Sequence, residues 1–234
     1  MKILAFDSTA KAASCAVLDS GRILAAYNID NGLTQSELLL PMAEDILRSL
    51  GLKFSDIDAY AVSVGPGSFT GVRIGVSLVK GLAFGRDIPC IEVSTLDALA
   101  ENLSGLDGIL VPCMDARRNQ VYNALFSCQD GRLKRLTEDR AISLSDLAEE
   151  LRGYNGQRIY ISGDGYSVAK SALEGFGIVT ESTPELLINE NAASVAKIAY
   201  QKYLLGEYVS DKEISPTYLR LPQAERERLE RLKN

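Results

Sequence analysis

Apolar positions along the chain follow a short period in some stretches and a helical one in others, and the two alternate. Lys2–Phe6 is almost wholly apolar, the pattern of a strand buried on both faces. Ser14–Leu18 and Arg22–Tyr27 read as two further strands, joined by Asp19-Ser20-Gly21, a sequence suited to a tight hairpin turn. Thr34-Gln35-Ser36-Glu37 is a capping box that predicts a helix as far as Leu50, stopped by Gly51, with a kink or a restart at Pro41. Asp58–Val64 predicts a strand, Thr70–Gly85 a helix, Cys90–Val93 a strand and Ser94–Leu103 a helix. The second half begins alike, with strands at Ile109–Met114, Gln120–Phe126 and Arg132–Leu136, the last two separated by Gln129-Asp130-Gly131. Helix-like Ser143–Arg152, strand-like Arg158–Ser162, a helical stretch from Ser167 to Glu174 and a helix over Ala192–Leu205 follow. The order βββαβα thus occurs twice and predicts two tandem α/β lobes, each built on a mixed sheet. The expected division is 1–106, 107–220 and a charged Glu/Arg tail over 221–234.

Two early helices carry more apolar surface than one sheet requires. On a helical wheel Leu38, Leu39, Leu40, Met42, Ala43, Ile46, Leu47 and Leu50 spread over roughly 200°, whereas a helix lying on a sheet needs a stripe of only about 100°. The helix after residue 70 behaves likewise, with Val72, Ile74, Val76, Leu78, Val79, Leu82 and Ala83. The surplus either packs the two helices together or docks another chain.

Composition excludes several chemistries. The 234 residues include no histidine, which rules out Ser-His-Asp and Cys-His nucleophiles and HExxH zinc sites. The net charge is −6, and the part up to Leu106, with 8 basic and 12 acidic side chains, carries −4 of it. Neither half has the positive excess of a protein that grips nucleic acid by itself. The four cysteines form no CxxC pair, and no apolar run reaches the ~18 residues of a membrane span, so a cytoplasmic protein away from membranes is expected.

Candidate chemistry centres on two loops. Asp58–Val64 runs into Gly65-Pro66-Gly67-Ser68-Phe69-Thr70-Gly71 and then a helix, an arrangement able to cradle an anion. The glycine spacing is GxGxxxG and no GK[ST] follows, so it matches neither a dinucleotide fingerprint nor a Walker loop. A tight turn is the alternative. Asp7, Ser8 and Thr9 end the first strand, where an acid can hold magnesium and hydroxyls can meet phosphate, or where an Asx turn links two strands. Together Asp7, Ser8, Thr9, Gly65, Gly67 and Ser68 form a candidate vestigial phosphate loop. Tyr160-Ile161-Ser162-Gly163-Asp164-Gly165 is a second glycine-rich strand end, where an adenosine could rest.

ILAFDST at the N-terminus, QSELLLPM at Gln35–Met42, VGPGSFTGVRIGVSLVKGLAFG at Val64–Gly85, VSTLDA at Val93–Ala98 and PTYLR at Pro216–Arg220 resemble the TsaB (YeaZ) family, accessory subunits for threonylcarbamoyladenosine modification of bacterial tRNA. The resemblance is dense over residues 1–100 and sparse afterwards. It implies an actin-like fold of the sugar-kinase/Hsp70 type, with two lobes. It also implies a TsaD-like catalytic partner, a TsaE-like ATPase, a homodimer when the chain is alone, and tRNA engaged only through the complex. TsaD holds its metal with an HxxxH motif; Thr95 and Leu99 stand about where those ligands would fall, so the chain is expected to be a non-catalytic partner without metal or cofactor of its own. A nucleotide at the partner boundary stays open. Many relatives carry a histidine before the SExLLP segment, where this chain has Thr34 or Gln35. In the family the two early helices form the docking surface, which points to Leu39, Met42, Ile46, Arg73, Gly75, Val79 and Leu82. A nucleotide-dependent phosphotransferase of the same fold is the alternative reading, and a peptidase is a more distant one.

Overall fold

The computed structural model describes residues 1–220. Strands β1 (Lys2–Asp7), β2 (Ala13–Asp19), β3 (Arg22–Ile29), β4 (Ala59–Gly65) and β5 (Cys90–Ser94) form one sheet in the order β3-β2-β1-β4-β5. β1 runs antiparallel to β2 and parallel to β4. The apolar run Ile3–Phe6 within it has a direct cause. Leu4 and Phe6 point into a core shared with helices α1 (Gln35–Ser49) and α2 (Phe69–Ala83), whereas Ile3 and Ala5 point to the opposite face. β4 alternates in the same way, Tyr60 and Val62 facing one side and Ala59 and Ala61 the other. Helix α3 (Thr95–Asn102) follows β5.

The second sheet contains β6 (Gly108–Asp115), β7 (Gln120–Asn123), β8 (Phe126–Gln129), β9 (Arg132–Arg135), β10 (Arg140–Ser143) and β11 (Ile159–Ser162). β7 and β8 pair with the same strand, β6, and β9 and β10 pair with β8 and β7 in turn. They are therefore two long strands, each interrupted once. At the break, Leu125 donates its N–H to Thr137 Oγ1 at 2.8 Å and its carbonyl accepts the N–H of Leu136. Counted so, the second half repeats the first: three antiparallel strands, α4 (Leu144–Leu151), parallel β11 and α5 (Tyr166–Gly175). β10 is missing from the sequence reading because its four half-buried residues include one arginine and lack a clean alternation.

Both hairpin turns form where the sequence places them. Ser20 and Gly21 have φ of 50° and 86°, Asp130 and Gly131 of 50° and 71°, the two left-handed positions of a type I′ turn. Thr34 starts α1, donating its N–H and its hydroxyl to the Glu37 carboxylate at 3.0 and 2.7 Å. Pro41 neither splits nor restarts that helix, which is one element with Pro41 on its exposed side.

Two expectations need correction. Residues 107–220 are not one lobe. Helix α6 (Ala192–Leu204) returns to the first sheet, where Ala192, Val195, Ala196 and Ala199 cover Ile3, Ala5, Ala59 and Ala61. Small residues on both sides let helix and sheet approach closely. Beyond α6, Val209 pairs with Cys90, Ile214 enters the α1/α2 core, and the Thr217 N–H donates to the Val64 carbonyl at 2.7 Å. Second, Leu39, Met42, Ile46 and Val79, expected at a partner surface, are buried in this core, as is Gly75. The tail over 221–234 lies outside the described residues.

Ile46→Ala therefore empties a fully buried site and is expected to lower stability by about 2–5 kcal/mol, read from urea denaturation; a loss below ~1 kcal/mol would place Ile46 at a surface.

Candidate functional site

At the carboxyl end of β1, Asp7 is buried and fully engaged. Its Oδ1 accepts the Thr9 N–H at 2.9 Å and the Thr9 hydroxyl at 2.7 Å, and its Oδ2 accepts the Ser63 hydroxyl at 2.5 Å. Burial pushes the carboxyl above the usual carboxylate range, against the pull of these donors. Asp7-Ser8-Thr9 is thus an Asx turn between β1 and β2.

The glycine loop packs against this turn. Ser68 donates its N–H to the Thr9 carbonyl at 2.7 Å, and the Ser8 hydroxyl donates to the Gly71 carbonyl at 2.8 Å. A Cβ on Gly67 would lie 2.5 Å from the Thr9 carbonyl oxygen, and one on Gly71 only 1.9 Å from that of Ser8. A Cβ on Gly65, at φ 116°, would lie 2.6 Å from the Thr217 carbonyl oxygen. At the start of α2 the Ser68 hydroxyl accepts the Gly71 N–H. Asp7, Ser8, Thr9, Gly65, Gly67 and Ser68 do come together as the sequence suggests. They pack closely, and the Ser68 and Gly71 amides are directed at the chain's own oxygens. The glycines serve close backbone approach.

Two acids that sequence reasoning did not join to this region complete it. Glu190, just before α6, is 3% exposed and accepts the Asp164 N–H at 3.2 Å. Burial first, and then the charges of Asp7 and Asp164, push its carboxyl up to about 8. Asp164, from the Gly163–Gly165 loop, accepts the Asp115 N–H at 2.8 Å, and desolvation raises it too. No local pattern singles out Glu190; its setting arises only because α6 crosses back to the first sheet. Thr95 and Leu99 are both buried in α3, and Leu99 lies in an apolar cluster with no atom to offer a metal. Among the described residues no three His, Cys, Asp or Glu side chains gather as metal ligands.

The other candidate surface lies between α1 and α2. A groove of about 590 Å³ is bounded by Gln35, Ser36, Leu40, Arg73, Ile74 and Leu78, with buried Leu39 as its floor. Leu40 is 40% exposed at the rim. The apolar arc of each helix is thus divided, one flank in the core and the other in the groove. Of the residues expected at a partner surface, only Arg73 is exposed, with Leu82 half-buried. Arg73 Nε donates to the Tyr218 hydroxyl at 2.7 Å, and Tyr218 stacks on Phe69 with centroids 4.9 Å apart.

The two sheets, their repeated βββαβα order and their flanking helices define an actin-like fold of two lobes. Component A of the (R)-2-hydroxyglutaryl-CoA dehydratase of Acidaminococcus fermentans shares it, with a TM-score of 0.50 and 13% identity over 87% of this chain and 99% of that one. YeaZ from Pseudomonas aeruginosa superposes with a TM-score of 0.77 and 26% identity, covering 93% of this chain and 99% of its own. The family model described as TsaD, tRNA N6-adenosine threonylcarbamoyltransferase, matches residues 34–228. Two proteins named tRNA threonylcarbamoyladenosine biosynthesis protein TsaB are each 31% identical: that of Bacillus subtilis over 96% of both chains, and that of Escherichia coli over 94% of this chain and 95% of its own. The chain belongs to the TsaB family.

Two tests follow from the geometry. Gly71→Ala is expected to destabilise the fold because its Cβ meets the Ser8 carbonyl, whereas Gly81→Ala in the same helix meets nothing within 4 Å and should gain about 0.5–1 kcal/mol. Equal melting shifts would refute the close-approach role. Glu190 holds its proton in the fold to about pH 8 but releases it near 4.5 when unfolded, so its contribution is complete below 4.5 and is lost as pH rises through 8. Glu190→Gln should flatten the fall in melting temperature across that window.

Proposed function

We propose that this chain is a non-catalytic docking subunit for tRNA threonylcarbamoyladenosine formation. It holds a TsaD-type catalytic subunit through the α1/α2 groove, with a TsaE-type ATPase joining the assembly. Alone, it pairs with a second copy through the same face. The observation that carries the reading is the groove itself. Leu40, Ile74 and Leu78 put apolar side chains beside the Arg73 guanidinium, an apolar centre with a polar rim of the kind that dominates protein interfaces. The residues bearing on a partner are therefore Leu40, Arg73, Ile74, Ser77, Leu78 and half-buried Leu82. Leu39 contributes as the floor, and Met42, Ile46, Gly75 and Val79 act indirectly by fixing the two helices on the sheet.

The close contact between the glycine loop and the Asp7–Thr9 turn supports a role without bond-making, since the Thr9 carbonyl takes the Ser68 amide and the Ser68 hydroxyl that of Gly71. It speaks against the phosphotransferase alternative. Operation in the cytoplasm fits this reading, and no helix among the described residues is long and apolar enough to cross a membrane.

Leu40→Asp and Ser77→Arg place charge or bulk at exposed positions, so the chain should stay folded. Each is expected to weaken association with the TsaD-type partner by ~30-fold or more in gel filtration with light scattering, the size of an interface hot spot. Co-elution of both variants at wild-type affinity, or modification of tRNA by the pure chain alone, would refute the proposal.

A further inference from the structure

The turn between β6 and β7 holds the longest run of left-handed residues in the described chain. Arg117, Arg118 and Asn119 have φ of 63°, 55° and 56°, three successive left-handed residues with no glycine among them. Such backbone is unfavourable for residues that carry a Cβ, least so for Asn. The hairpin turns at Ser20-Gly21 and Asp130-Gly131 reach the same region of backbone space by using glycine. Here the strain is retained and held from several sides. The Asp115 carboxylate accepts the Arg117 N–H at 2.8 Å and pairs with its guanidinium at 3.1 Å. The Leu144 N–H donates to the Asn119 carbonyl at 3.1 Å. Arg220 donates to the Ala116 carbonyl and to the Gln120 side chain, and its guanidinium covers the Tyr122 ring. Backbone strain kept under such bracing is a mark of a working surface.

This turn displays Arg118 at the edge of a cavity of about 530 Å³, within the usual range for small-molecule sites. The lining also includes Asn119, Gln120, Ser143, Ser145 and Phe176. Phe176 is 44% exposed, an aromatic face open to solvent. The Ser143 and Ser145 hydroxyls lie 2.9 Å apart. Arg117 and Arg118 are both exposed, but Arg117 is paired with Asp115 whereas Arg118 makes no ion pair among the described residues. A guanidinium for phosphate, neighbouring hydroxyl and amide groups, and a ring for a base are the components with which proteins hold an unstacked nucleotide.

We propose that this cavity takes a single-stranded nucleotide of the RNA substrate, with Arg118 on its phosphate and Phe176 against its base. The proposal rests on the function given above. It also accounts for RNA contact by a chain of net charge −6: one phosphate contact is supplied here, and the rest of the binding comes from the partner.

The test measures binding of unmodified tRNA to the assembled complex with the TsaD-type partner, by filter retention from 50 to 300 mM KCl. Arg118→Ala should weaken binding about 5- to 20-fold at low salt and reduce the slope of log K against log[salt] by about 0.7–1. Arg118→Lys should retain the slope. Phe176→Ala should weaken binding about 5- to 30-fold with the slope unchanged. Arg118→Gly should melt about 2–4 °C higher while binding tRNA less well, which separates relieved strain from lost folding. Wild-type affinity and slope in both alanine variants would overturn the proposal. So would loss of partner association with tRNA binding unchanged, which would make the turn a protein contact. If the wild-type chain forms no complex at all, the docking function falls first and the RNA contact with it.

Discussion

The Ser68 N–H meets the Thr9 carbonyl at 2.7 Å, and Gly67 and Gly71 stand where any side chain would collide with the Ser8–Thr9 backbone. This backbone-to-backbone contact sets where α2 begins and how far it leans over the sheet. It brings Ser8 against Gly71 and Gly75, and so lowers α2 onto β1 and β4. The groove between α1 and α2 exists in its observed shape because α2 cannot rise away from that turn. The same contact takes up the Ser68 amide. One constraint thus shapes both the glycine loop and the α1/α2 groove.

Charge at the strand ends obeys the same economy of space. Asp7 receives three hydrogen bonds from Thr9 and Ser63, so it behaves as a structural acid at the first turn of the chain. Glu190 has one donor, is enclosed by the returning α6 region and faces two other acids, which favours its neutral form.

The segment after α6 joins surfaces that lie far apart in sequence. Thr217 is hydrogen-bonded to Val64 beside the glycine loop, Tyr218 stacks on Phe69 and receives a hydrogen bond from Arg73, and Arg220 braces the Arg117–Asn119 turn. Three residues within a four-residue span therefore touch the rim of the groove, the origin of α2 and the Arg117–Asn119 turn.

Local pattern was enough for most of the strands, the two glycine hairpins, the capping box at Thr34 and the repeated order of elements, because each depends on neighbours a few residues away. The excess width of the apolar arcs on α1 and α2 was also legible from sequence. Which flank of each arc turns inward was not: the same leucine or valine serves core or surface equally well, and the choice depends on where sheet and strap lie. For that reason Ile46 and Val79 belong to the core while Leu40 and Leu78 bound the groove. Residue types and spacing in GPGSFTG announce a glycine loop, yet whether its amides face a phosphate or a carbonyl depends on Thr9, some 60 residues earlier in the chain. Glu190 and the return of α6 were invisible for the same reason. Sequence determined the elements through short-range propensity and period; only the tertiary structure, by bringing distant backbone and charge within a few ångströms, decided which faces were left to act.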